Sequence, residues 1–261
     1  MIKFAVMNIC TFLVSVLAAA LPLKGTSSFT AGEEQVYLVH YQWGVLNADV
    51  ARAYCSIDST TLHGQPAYKA RIYGKTAKFC EAIVKVREDF QSWFTAGDLR
   101  PEKSRRKAQE AKYNGGETNV FDWNAGKLTI TVNSNGKESV KEFGLEPGVL
   151  DVPTLFYAFR NIDMAKVSGG KVFPVKLAVG DKIETISFKY AGSETLNARG
   201  MDRVPVRKFL IQVSSGNTFD NENAISIYAT DDDFMIPVYF EAPMRLGKVV
   251  GRLETSTRKK K

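Results

Sequence analysis

Histidine and cysteine are the scarce residues of this chain, two and three respectively among 261. So few nitrogen and sulfur ligands leave little material for metal cages or for repeated nucleophilic triads. The common catalytic and cofactor signatures are absent as well: there is no G-x-S-x-G elbow, no H-E-x-x-H pair, no P-loop and no G-x-G-x-x-G turn. The sequence therefore names no cofactor and no metal. Neither sign of charge dominates. Lys plus Arg is 35 against 28 for Asp plus Glu, a formal +7 that does not call for a nucleic-acid partner. There is no long polar linker and no repeat of fixed period. What is present is an ordinary globular composition, 44% apolar and 24% charged, in a length that can bury a sizeable core.

Residues 1–25, MIKFAVMNICTFLVSVLAAALPLKG, have the layout of a signal peptide. Lys3 supplies the positive start, Ile9 to Leu21 the apolar stretch, and Ala18-Ala19-Ala20 a small-residue cleavage site. The alternative is a retained anchor between Lys3 and Lys24; Asn8, Thr11 and Ser15 weaken it, and Pro22 and Gly25 break the helix early. Either way the chain is expected to be exported, to the periplasm or the periplasmic face of an outer membrane. Beyond Cys10 the remaining cysteines are Cys55 and Cys80, an even pair that an oxidising compartment permits to bond. A disulfide, two buried thiols and a reactive thiol all stay open.

From Phe29 onward, short alternating runs are separated by turn chemistry. Tyr37, Val39, Tyr41 and Trp43 share one strand face; Leu128, Ile130 and Val132 share another, as do Ile186, Phe188 and Tyr190, and Ile225, Ile227 and Ala229. Asn114-Gly115-Gly116, Asn124-Ala125-Gly126, Asn135-Gly136, Val179-Gly180-Asp181 and Ser215-Gly216-Asn217 read as the turns between them. Pro174, inside an apolar strand, marks an edge or a bulge. Roughly a dozen strands at this spacing predict a mainly β fold: an antiparallel, strongly curved sheet, an open barrel or a sandwich. One helix is expected around 153–167, capped by Asp151, with Leu155, Phe156, Phe159 and Ile162 in the core. A second, shorter one is expected from Thr76 to Ile83, before a strand from Val86 to Phe94. The division that follows is a signal segment over 1–25, a single β-rich domain over 26–255 and a basic tail over 256–261.

The charged clusters read mainly as surface. Asp231-Asp232-Asp233 sits where a hairpin turn belongs, although Asp231 and Asp233 share a strand face and, with Asp122, are the candidate catalytic carboxylates. Asp220-Asn221-Glu222-Asn223 lacks calcium-loop spacing. Arg100, Lys103, Arg105, Arg106, Lys107 and Lys112 form a solvated strand face with too few aromatics for nucleic acid. The tail Arg258-Lys259-Lys260-Lys261 offers a contact to a membrane surface.

Several segments carry a family resemblance in their order and spacing. They are Phe29-Thr30-Ala31-Gly32-Glu33 leading to Tyr41-Gln42-Trp43-Gly44, then Arg87-Glu88-Asp89-Phe90-Gln91-Ser92-Trp93 with Asp98-Leu99-Arg100-Pro101. Phe121-Asp122-Trp123, Asp151-Val152-Pro153-Thr154-Leu155-Phe156-Tyr157, Thr230-Asp231-Asp232-Asp233 and Ile236-Pro237-Val238 follow. Together they resemble an exported bacterial family known as domain of unknown function 3108, with a departure at Ala48, where that family usually has glycine. The resemblance implies a β-rich protein of the Gram-negative cell envelope and brings no catalytic residues with it.

Three functions remain compatible. The first is a binding or carrier protein whose curved sheet encloses an apolar or amphiphilic ligand, a lipid or glycolipid, for which 16 Phe, 10 Tyr and 3 Trp could line a cavity. The second is an assembly factor that contacts other envelope proteins through edge strands. The third is a hydrolase of envelope polymers, marked by two carboxylates about 5–10 Å apart in a cleft.

Overall fold

The computed structural model of the chain describes residues 21–81, 85–110, 113–198, 201–213, 225–244 and 246–257. Residues 1–20 with Cys10, Lys112, the 215–217 turn, the 220–223 cluster and the 258–261 tail lie outside them. The strands are β1 (Glu33–Trp43), β2 (Leu46–Leu62), β3 (Gln65–Thr76), β4 (Val86–Thr95), β5 (Pro101–Glu110), β6 (Tyr113–Asp122), β7 (Lys127–Ser134) and β8 (Lys137–Gly144). After β9 (Val149–Leu150) comes the helix α1 (Val152–Arg160), and then β10 (Val172–Val179), β11 (Lys182–Ala198), β12 (Met201–Val213), β13 (Ile225–Thr230), β14 (Pro237–Pro243) and β15 (Lys248–Ser256).

All fifteen strands belong to one sheet, in the order β8-β7-β6-β5-β4-β3-β2-β1-β15-β14-β13-β12-β11-β10-β9. Each strand pairs antiparallel with its chain neighbour, which is what short turns produce. The exceptions are the β1–β15 ladder, which joins the two halves, and the short parallel β9–β10 pair. The two sheet ends, β8 and β9, share no ladder, so the barrel is not closed by backbone hydrogen bonds. Asn135-Gly136 makes the β7–β8 turn with φ of 50° and 82°, the doubly left-handed geometry for which Asn-Gly is suited. Pro174 pairs with Ser187 on β11, while β9 pairs β10 only at Lys176 and Leu177, so the proline occupies a free edge.

The sheet curls around α1. Phe159 lies edge-on to Phe209 of β12 with ring centroids 4.9 Å apart, and 5.9 Å from Phe188 of β11. On the other side Tyr157 meets Phe29 at 4.9 Å and Phe94 of β4 at 6.3 Å. One nine-residue helix thus ties strands from both halves into one core with Ile57, Ala70, Leu99, Val175 and Ile211.

Five sequence expectations are corrected. The helix stops at Arg160 rather than running to 167; only a 3-10 turn, Met164–Lys166, follows. Asn161 ends it because its side chain is committed to the distant 21–29 segment. Its Oδ1 accepts from Ser28 N (3.0 Å), and its Nδ2 donates to Lys24 O (3.2 Å). Leu155 and Phe156, expected in the core, are half-buried against its margin, and Phe159 and Ile162 carry it. The described part of 76–83 is a turn, with Cys80 N donating to Ala77 O (2.9 Å), because β3 continues through Thr76 into a hairpin. Gly115 and Gly116 are inside β6 rather than in a turn: a Cβ would lie 2.2 Å from Asn133 O at the first and 2.0 Å from Arg106 O at the second. Glycine is needed there for close strand approach. Arg106 points into the barrel instead of joining a solvated face, and pairs with Glu88 (2.7 Å) and Glu117 (3.9 Å).

A cleft between the two sheet ends

Where β8 and β9 fail to pair, the gap is filled by side chains. Phe121, Leu128 and Ile130 of β6 and β7 meet Leu145, Val149 and Ala178 across it. Exposed ion pairs cross it too: Lys141 on β8 holds Asp181 at 2.6 Å, and Lys176 on β10 holds Glu146. Below these contacts the gap opens into a cleft of about 630 Å³, within the usual size of ligand pockets.

Its walls follow from the chain's turns. Leu99, between β4 and β5, has φ of 53°, a left-handed backbone that is rare for a buried non-glycine residue. The loop is pinned in that form: Thr95 N donates to Arg100 O (3.0 Å) and Arg100 N to Thr95 Oγ1 (2.9 Å). Strain of this kind is held where the surroundings over-determine it, and here it places Leu99 in both the core and the cleft wall. Trp123 is fixed by donating Nε1–H to Pro101 O (2.7 Å), with the Arg100 guanidinium 5.4 Å above its ring. Val149, Leu150 and Val175 complete the opposite wall, and Ala158 of α1 the floor. Leu21 and Leu23 line the last side, positioned by Asp163 N donating to Pro22 O (2.7 Å) and Lys24 N to Asn161 O (2.8 Å). Asp98, Arg100 and Glu146 are exposed, and Lys176 half-exposed, around this apolar interior. The cleft can thus hold an apolar body while leaving a polar end among charges of both signs. Asp98-Leu99-Arg100-Pro101 and Trp123, from the segments that carry the family resemblance, meet here.

The sequence-based candidates are elsewhere. Asp122 ends β6 and caps the following turn, its Oδ1 accepting from Ala125 N (2.9 Å). Asp231 is paired to Arg207 at 2.6 Å, while Asp233 is exposed with Lys24 3.7 Å away. Asp232 between them accepts from Phe234 N and Met235 N, so the run forms the β13–β14 turn and does not build a carboxylate cleft. Both cysteines are free thiols, Cys55 buried and Cys80 half-exposed. Cys55 pairs with Ile72, and Thr76, where β3 ends before the Cys80 turn, lies four positions along the ladder, roughly 13 Å. A disulfide needs Cα atoms within about 7 Å. Among the described residues no three His, Cys, Asp or Glu side chains converge as an ion cage.

Sequence reasoning missed a polar layer inside the other half of the barrel. Asp151 caps α1, accepting from Thr154 N (2.9 Å) and Ser92 Oγ (2.6 Å); burial pushes its carboxyl up to about 6 against those donors. Glu117 accepts from the Gly180 N–H, yet burial pushes it up to about 7 despite that bond and Arg106. The void between them, about 10 Å³, is of the size of a single water. The inward alternation of Glu117, Asn119 and Phe121 was the available signal, but alternation alone does not say which face is inside.

Comparison with known proteins agrees with this architecture. The model of a family described as protein of unknown function (DUF3108) matches residues 36–254. No curated protein matches the chain. Among solved structures the fold is similar to a beta-barrel-like protein of domain of unknown function DUF1849 from Brucella abortus. The TM-score is 0.55 at 10% identity, covering 93% of this chain and 100% of that one, a likeness of fold alone.

Proposed function

This chain belongs to the DUF3108 family of proteins of unknown function, and from that premise we propose that it is an exported cell-envelope carrier holding a lipid or glycolipid in the cleft between its sheet ends. One observation carries the reading: a cleft of about 630 Å³ whose walls are Leu, Val, Pro and Trp side chains and whose mouth bears both signs of charge. That is a shape for an amphiphile, with the chain inside and the polar end at Arg100 and Lys176. The N-terminal segment of residues 1–25 supports the export. The polar layer around Asp151 and Glu117 is a poorer place for hydrolysis, since the space between those carboxylates holds no substrate.

The test is mass spectrometry of lipids extracted from protein purified from its native periplasm, beside a Thr185→Trp variant. Thr185 is exposed at the cleft rim, so the added indole fills the mouth without disturbing the core. The expected result is one class of amphiphile at a fixed ratio to the parent protein and much less on the variant. Lipid in equal amount on both, or on neither, overturns the reading.

A further inference from the structure

At the end of the barrel away from the cleft, two hairpin tips project side by side. The β1–β2 hairpin runs to Trp43↔Leu46, whereas β3 stops opposite Ala51, so the tip stands roughly 15 Å past the β3 end. The β14–β15 tip reaches the same level, with Lys248 paired to Gln42. The two tips are locked into one unit. Tyr41 Oη donates to Leu246 O (2.6 Å), and a Cβ on Gly247 would lie 2.0 Å from Gln42 O.

The tips expose apolar side chains that a folded protein normally buries. Val45 is fully exposed, and Trp43 and Leu246 are each more than half exposed. Scattered exposed apolar residues need no explanation, but three on one rigid projection do. Charge narrows the choice of what they meet. The two tips themselves, residues 42–48 and 242–248, contain Arg245 and Lys248 and no Asp or Glu; the nearest carboxylates are Glu241, which pairs with Lys248 at 3.2 Å, and Asp49, which lies 3.9 Å from Arg252. A tip of tryptophan and aliphatic groups with an excess of cations along its sequence, Arg245, Lys248 and Arg252 against Asp49 and Glu241, has the chemistry of the boundary between lipid headgroups and acyl chains.

We propose that this double hairpin tip docks on an anionic bilayer, inserting Trp43, Val45 and Leu246 among the lipids while Lys248 meets the headgroups. The protein then stands on the membrane with its cleft at the far end. The β15 strand delivers Ser256 to that far end, so the tip, and not the basic tail after residue 257, forms this contact.

The experiment uses the full chain with Trp93→Phe and Trp123→Phe, leaving Trp43 as its one tryptophan, excited selectively over the tyrosines. Vesicles of phosphatidylcholine, with or without phosphatidylglycerol, carry acyl-chain bromine as quencher. Trp43 reports the tip itself, whatever the N-terminal segment does. The expected result is a blue shift and quenching that require phosphatidylglycerol and weaken with added salt. Val45→Asp with Leu246→Asp is expected to reduce the apparent affinity by at least about tenfold with an unchanged melt, because both side chains start exposed. Unquenched Trp43, equal quenching on neutral vesicles, or full binding by the double variant overturns the proposal. So does a crosslinker at position 45 that captures a protein while the vesicles leave Trp43 unquenched.

Discussion

Replacing Arg160 by methionine would test the most exposed claim about stability. Arg160 ends α1 with its side chain fully buried, and its Nη1 lies 2.5 Å from Glu33 Oε1 at the start of β1. The guanidinium also donates to Phe234 O (3.3 Å) and Ser28 O (3.4 Å) and lies against Tyr157 and Phe29, at 5.8 and 6.0 Å. Methionine replaces much of that packing but none of the charge. Breaking a buried pair by removing one partner costs about 3–5 kcal/mol, because the surviving charge has lost its partner but not its burial. Glu33→Gln leaves the converse, a buried guanidinium without its carboxylate, and should cost a similar amount. The pair replaced together, Glu33→Leu with Arg160→Met, should recover most of the loss. Urea unfolding of all three measures this. A loss below about 1 kcal/mol in Arg160→Met, or a double variant no more stable than the single ones, would refute the assignment of this pair as a buried structural lock.

Phe159→Asp, which puts a charge between Phe188 and Phe209, should cost about 4 kcal/mol or more, seen as a melt far below the parent's. Glu117 and Asp151 bind protons more tightly folded than unfolded. The stability they contribute is full below the ordinary carboxylate range and is lost as pH rises through about 6 and about 7. Parent melts should therefore fall between about pH 5 and about pH 8, and Glu117→Gln should reduce that fall by on the order of 2–3 kcal/mol; an equal fall in both would contradict it. Alkylation of the native protein should label Cys80 and spare Cys55, whose thiol burial pushes up to about 12; peptide mapping reads the two sites separately.

Much of the fold was legible because it is local. A meander of neighbouring strands writes itself as alternation and turn residues, and the Asn135-Gly136 turn, the Asp151 cap and the edge at Pro174 all follow from chemistry within a few positions. What was not legible depends on distant chain. The helix end at Asn161 is set by Ser28 and Lys24, more than 130 residues away in sequence. The place of Gly115-Gly116 inside β6 depends on Arg106 and Asn133 of neighbouring strands, and local Gly clustering imitates a turn. The cleft is harder still to foresee. It exists only because the two sheet ends, separated by the whole strand order, arrive beside one another. The carboxylates with perturbed titration, Asp151 and Glu117, are distinguished by burial, while the conspicuous Asp231-Asp232-Asp233 run sits in an ordinary turn.

The missing ladder between β8 and β9 bears on how a bulky guest could enter. In a fully hydrogen-bonded barrel, a sideways entrance would have to break a row of backbone bonds. Here the wall beside the cleft can part by releasing the pairs Lys141–Asp181 and Lys176–Glu146, the Glu117 bond to Gly180 and the apolar contacts behind them. Solvent-exposed ion pairs hold by about 1 kcal/mol or less each and weaken further in salt. If the cleft carries a lipid as proposed, loading would quicken as salt weakens these pairs, while the melting temperature, set by the ladders and the α1 core, would scarcely move.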